Sequence, residues 1–298
     1  MGTPKRAALV CCLVVLAGCG ATADPVAEPR PTVTVVAPIE PLRTAAPSPA
    51  TSAPPETPAP PETWAPPAID LTTLPVADPW GVLPRAVPDP DPGTMPSGLL
   101  VTPATDAGVP LYDAPRGSPF AVLPLVQYVG ETSYPVVAQT DDWYQVLLTV
   151  RRGLPSQVGP AGVNEATGWV HAADVVTSST DYRITASLGS GQVTLHRGEE
   201  VLATTETGIG APATPTPVTR TFVMSVYPDA QATYSRVFVA FGAHSPTIDS
   251  FKGGPAPIAI HAYASHRGEI SNGCLRIPAA MLDAFAAVPL GTPVLITP

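Results

Sequence analysis

Residues 257–276 carry Pro257-Ile258-Ala259-Ile260-His261 and, after a loop, Ser271-Asn272-Gly273-Cys274-Leu275-Arg276. The first stretch is a short apolar run ending in histidine, as expected of a buried strand with a polar residue at its exit. The second places a thiol between a glycine and an arginine. A thiolate is a strong nucleophile once a base or dipole draws off its proton. A free cysteine is usually a small buried hydrophobe. Here the flanking Gly273 and Arg276, with His261 upstream, favour chemistry over packing.

Cysteine usage sharpens that reading. The 298-residue chain has four cysteines. Cys11 and Cys12 lie in a start segment that reads as an export signal, with Lys5 and Arg6 before the apolar run Ala7–Leu16. Leu16-Ala17-Gly18-Cys19 resembles a bacterial lipobox, which implies cleavage before Cys19 and lipid on its thiol. Residues 1–18 are thus expected to be a lipoprotein signal peptide. The mature chain would be exported, anchored to the cell membrane by lipid and facing the wall. Cys274 would be its only unmodified thiol. One such thiol with scattered histidines gives neither a disulfide framework nor a metal-ligand pattern.

From Asp24 to Pro96 the chain is crowded with proline, as in Ala53-Pro54-Pro55-Glu56-Thr57-Pro58. Proline fixes φ and removes a donor, so residues 19–96 are expected to form a disordered tether with polyproline character. Two β-rich regions follow. In the first, 97–178, Val109–Pro115 reads as a strand and its exit, and further candidate strands are Tyr134–Ala138, Trp143–Leu148 and Gly168–Val175. The Trp-Tyr strand followed by Gly-Trp-Val resembles bacterial SH3-like barrels, with Trp143 and Trp169 read as core. In the second, 180–298, strands are expected over Tyr182–Leu188, Gln192–His196, Glu200–Thr205, Thr221–Val226 and Gly291–Ile296. A single late helix is expected over Pro278–Val288, with Met281, Leu282, Phe285 and Val288 on its apolar face.

Ile258–Ile296 resembles the C-terminal half of the YkuD-type L,D-transpeptidase catalytic domain. The matching positions are His261, Ser271, Gly273, Cys274, Arg276, the late helix and Gly291-Thr292-Pro293-Val294. Gly208 and Thr214-Pro215-Thr216-Pro217 extend the likeness upstream. Asn272 stands where the family usually has histidine. The His261–Cys274 spacing of 13 positions (274 − 261) is a little short.

The expected fold is therefore mainly β, a small SH3-like barrel followed by a β-sandwich-like catalytic domain. The resemblance implies a cell-wall enzyme acting on peptidoglycan stem peptides and forming 3→3 cross-links through an acyl-enzyme on Cys274. It also implies inhibition by carbapenem-type β-lactams and no cofactor or metal. An L,D-carboxypeptidase using water, or a non-catalytic peptidoglycan-binding lipoprotein, are the alternatives.

Residue chemistry assigns Cys274 as nucleophile, His261 as base in preference to His266, and Gly273 as part of an oxyanion cradle. Arg276 reads equally as a carboxylate fork or a loop tie. Ser271 and Asn272 are candidate substrate or loop contacts. His244 reads as a surface turn or cleft residue. The net charge of −9 argues against nucleic-acid partners.

Overall fold

The computed structural model describes Trp64 and residues 67–298. Residues 61–298 belong to one compact unit. Its first half holds β1 (Val87–Pro88), β2 (Leu99–Pro103), β3 (Val109–Tyr112), β4 (Pro119–Leu123), β5 (Val126–Gln127), β6 (Gly130–Glu131), β7 (Tyr134–Thr140), β8 (Trp143–Leu147), β9 (Ala166–His171) and β10 (Val175–Ser179). A short helix, α1 (Pro155–Val158), lies between β8 and β9. All these strands except β5 and β6 join one antiparallel sheet in the order β10-β2-β7-β8-β9-β3-β4, with β1 paired on β9. The β5–β6 pair is a separate hairpin.

The second half holds β11 (Tyr182–Ser187), β12 (Gln192–Arg197), β13 (Glu200–Glu206), β14 (Gly208–Gly210), β15 (Thr219–Tyr227), β16 (Phe238–His244), β17 (Pro257–Ala262), β18 (Gly268–Ser271), β19 (Leu275–Ile277), α2 (Leu282–Ala286) and β20 (Pro293–Thr297). Its sheet runs β13-β12-β11-β20-β15-β16-β17-β19-β14-β18. Parallel pairs join β11 to β20, β17 to β19 and β14 to β18. The fold is mainly β, with one late helix.

That helix is shorter than the sequence suggests. Pro278 caps a 3-10 turn over Ala279–Met281, and only Leu282–Ala286 is α-helical. Pro289 follows closely and cannot continue a helix. The apolar face is as expected, for Leu282, Phe285 and Val288 are buried in the second core.

Side chains at alternate positions of a strand face opposite ways, and β15 and β16 use both faces. Phe222, Met224 and Ala240 enter the core under the first sheet, whereas Val223, Val239 and Phe241 enter the core under α2. A strand buried on both sides reads as a continuous apolar run, and Phe222-Val223-Met224 is one.

The expected tether is overturned in its final third. From Asp70, whose side chain accepts the Thr72 amide, residues 67–96 contribute to the folded unit. Ala77, Leu83 and Ala86 are core residues. Asp89 is buried and bonded to Arg220 of β15, with Arg220 Nε donating to Asp89 Oδ2 at 2.7 Å and Nη1 to the Thr94 carbonyl at 3.0 Å. Proline content hid this because prolines also suit turns and edge contacts, where their missing N–H is not needed. The export signal, Cys19 and the remaining proline-rich stretch lie outside the described residues, apart from Trp64. Its ring sits edge-on to Tyr112 and Trp143, 6.0 and 4.9 Å between centroids.

Candidate active site

β17 presents two different faces. Ile258 and Ile260 enter the second core, and Leu275 does the same from β19. His261 is paired with Arg276 across the parallel β17–β19 ladder and with Phe238 of β16. Paired residues project to the same side and the period is two. Ala259, Cys274, Arg276 and His261 therefore share the face opposite the core. Cys274 lies one step diagonally from His261, and no hydrogen bond joins the two side chains.

The His261 imidazole is buried and its tautomer is fixed. Nδ1 lies 3.0 Å from the Ala262 carbonyl, which can only accept, so Nδ1 carries the proton and Nε2 keeps a free lone pair. Phe238 and Tyr234 flank the ring at 5.0 and 5.5 Å between centroids. Burial pulls the imidazole below its ordinary value and the nearby Arg276 charge adds to that, against the Ala262 hydrogen bond. The Cys274 thiol is pushed up by burial, partly offset by the Ala259 amide and by Arg276. Both groups are consequently neutral near pH 7.

The turn carrying Cys274 is fixed by its own carbonyls. Thr214 Oγ1 donates to the Ser271 carbonyl at 2.9 Å, and Thr216 Oγ1 to that of Gly273 at 2.8 Å. Ser271 Oγ donates to the Cys274 carbonyl at 2.6 Å and accepts the Gly273 amide at 3.1 Å. Gly273 has φ +109°, and a β-carbon there would lie 2.7 Å from Ile258 Cδ1, so only glycine suits the position. Gly210 brings its amide to Thr216 Oγ1 at 2.9 Å.

These bonds bear on two of the expected roles, giving Ser271 the loop contact of its two readings and changing that of Gly273. Ser271 is buried and its hydroxyl is engaged within the turn, so it holds the loop rather than meeting substrate. The Gly273 amide is occupied by Ser271 and is not a free oxyanion donor. The amides of Asn272 and Cys274 make no hydrogen bond to another loop group among the described residues.

Arg276 forms no ion pair among the described residues. Its guanidinium stacks 4.1 Å above the Tyr263 ring, and Nε is buried without an acceptor. His266 sits in the loop before β18, with Nδ1 3.0 Å from the Ala264 carbonyl. His266, His261 and Arg276 are all absent from the lining of the cleft described next, which includes Cys274. His244, read from sequence as a surface or cleft residue, is buried. Its Nε2 lies 2.8 Å from the Thr149 carbonyl and burial pulls it down to about 4. No group of three His, Cys, Asp or Glu side chains among the described residues could hold a metal.

A cleft of about 490 Å³ opens over this face, with Cys274, Asn272 and Ala259 on its floor. That volume is in the range of small-ligand sites. Its walls come from Tyr227–Phe238, from the 248–257 segment and, from the first half of the chain, from Trp80 and Tyr128. The sequence signalled none of these aromatics as site residues, because they lie far from Cys274 in the chain and match no motif.

Residues 181–296 match the YkuD family, described as an L,D-transpeptidase catalytic domain. The match agrees with the resemblance read from Ile258–Ile296 and leaves the first sheet unassigned. Similar solved structures include an L,D-transpeptidase from Mycobacterium tuberculosis H37Rv, 14% identical, covering 52% of this chain and 90% of that one, with a TM-score of 0.36. L,D-transpeptidase 3 from the same species, in complex with a faropenem-derived adduct, is 12% identical over 52% and 91% of the two chains, with a TM-score of 0.34. The catalytic domain of the Enterococcus faecium L,D-transpeptidase is 22% identical over 39% and 97%, with a TM-score of 0.30. No curated protein matches the sequence.

Proposed function

We propose that this protein is a cell-wall L,D-transpeptidase that uses Cys274 as nucleophile and His261 as base. The observation carrying the proposal is that, within the YkuD-type segment, the free thiol lies on a cleft floor. A tautomer-fixed imidazole shares its sheet face, and loop amides stand unengaged beside it. Sγ attacks the carbonyl of the third residue of a tetrapeptide stem as Nε2 takes the thiol proton. The oxyanion meets the Cys274 and Asn272 amides, donors of the kind worth about 10²–10³ in rate. Collapse breaks the bond to the terminal D-alanine, whose amine leaves with the proton from Nε2. An amine of a second stem then attacks the thioester, Nε2 removes its proton, and Sγ departs to give a 3→3 cross-link. Arg276, without a carboxylate partner of its own, offers a fork to a stem carboxylate. The Leu16–Cys19 motif supports an exported protein anchored by lipid at Cys19.

Intact mass after incubation with a carbapenem, the inhibitor class the resemblance implies, tests the nucleophile. A single adduct on the wild-type chain and none on Cys274→Ala is expected. An adduct that survives the substitution would remove Cys274 from the mechanism.

A further inference from the structure

We infer that Trp80 and Tyr128 are specificity-determining residues of this cleft, forming an outer wall against which an extended stem peptide is held while Cys274 reacts. Neither residue belongs to the matched segment 181–296. The identity of the ligand rests on the proposed function; the wall itself rests on geometry.

Trp80 is 59% exposed, yet its backbone is fixed. Asp78 Oδ1 accepts the amides of both Trp80 and Gly81 at 2.9 Å, closing a tight turn. Ala77 before that turn and Leu83 after it are core residues, and Val82 bridges to Arg151. A large ring held rigidly with its surface in water beside a concave site is the composition of a binding anchor. Tyr128 occupies the β5–β6 turn at φ +56°. Its ring is within 13° of parallel to Trp80, 6.5 Å between centroids.

The rings continue inward. Tyr128 stacks on Tyr227 at 4.8 Å, Tyr227 on Phe238 at 5.9 Å, and Phe238 meets His261 at 5.0 Å. A row of aromatic rings thus leads from the rim to the base. The 248–257 segment, which lies against Trp80, is also tied to the first half of the chain. Arg151 Nη1 donates to the Asp249 carbonyl at 2.6 Å, and the Ser156 amide to Asp249 Oδ1 at 3.0 Å. Gly254 lies beside Trp80, where a β-carbon would be 3.2 Å from Cη2. With both walls preformed, little ordering is needed when a peptide enters, and its amide planes and alanine methyls can stack on the rings.

Calorimetry on the full chain carrying Cys274→Ala measures stem-tetrapeptide binding without turnover. Adding Trp80→Ala should weaken Kd about tenfold, as expected for loss of one aromatic contact, and Trp80→Phe should weaken it less. In the active chain Trp80→Ala should raise KM, with iodoacetamide alkylation of Cys274 unchanged within about twofold. Equal Kd for both chains would overturn the wall and leave the proposed function standing. No peptide binding to Cys274→Ala, together with no acyl adduct on wild type, would remove the proposed function and this inference with it.

Discussion

Burial moves the Cys274 thiol above its ordinary value and the His261 imidazole below its own, so the pair rests uncharged near neutrality. A resting thiolate–imidazolium pair would instead need the histidine's affinity for a proton to exceed the thiol's. On that basis the thiolate would form only at alkaline pH or, in the proposed reaction, as the substrate carbonyl is attacked. Alkylation of Cys274 by iodoacetamide should accordingly climb through the range above an ordinary thiol pKa, about 8.5, with no plateau between pH 6 and 7. His261→Gln should leave that profile nearly unchanged and lower acyl transfer by about 10²–10⁴. A neutral-pH plateau abolished by His261→Gln would show a preformed ion pair and contradict the shifts given above. The sequence brought His261 and Cys274 into view through the strand end and the Gly-Cys step. It could not show that Ser271 faces inward, because a serine beside a nucleophile reads the same whether its hydroxyl serves the loop or the ligand.

The element that holds the turn carrying Cys274 is the Thr-Pro segment between β14 and β15. Its two threonines hold the carbonyls of Ser271 and Gly273, while Gly210 donates back to Thr216. Thr216→Val keeps the shape and leaves a buried amide and a buried carbonyl unpaired, at about 1–3 kcal/mol each. Thermal unfolding of this variant should fall by about 5 °C or more, with a parallel loss of acylation rate. An unchanged midpoint would show that the turn holds itself. Strands were the legible elements: β11, β12 and β15 fall within a residue or two of the alternation that announced them. The helix was overlong in the reading because Met281, Leu282, Phe285 and Val288 keep helical spacing through a 3-10 turn as well. Residues 67–96 were misread for a different reason: their contacts are made through single anchors such as Ala77, Leu83 and Asp89, which leave no periodic trace.

At the scale of the whole molecule, the first sheet and the YkuD-type region share a core through Phe222, Met224 and Ala240. Among the described residues one buried ion pair crosses between them. Asp89 and Arg220 side chains are 0% and 4% exposed. Asp89→Ala should strip Arg220 of its partner and destabilise the chain by about 3–5 kcal/mol, whereas the Asp89→Leu/Arg220→Met double variant should recover most of it. Urea midpoints of the three proteins measure this; a single variant as stable as wild type would mean that water already reaches the pair.

The ordering of residues 67–96 also sets a radius of action. With the proposed lipid at Cys19 and Trp64 already seated against the first sheet, 45 Cα-to-Cα steps (64 − 19) separate the anchor from the folded body. Covalent geometry limits that leash to about 160 Å, whatever path it takes. On the proposed anchoring, the cleft would service only the shell of wall within that leash plus the span of the folded body beyond Trp64, and material laid down farther out would escape it.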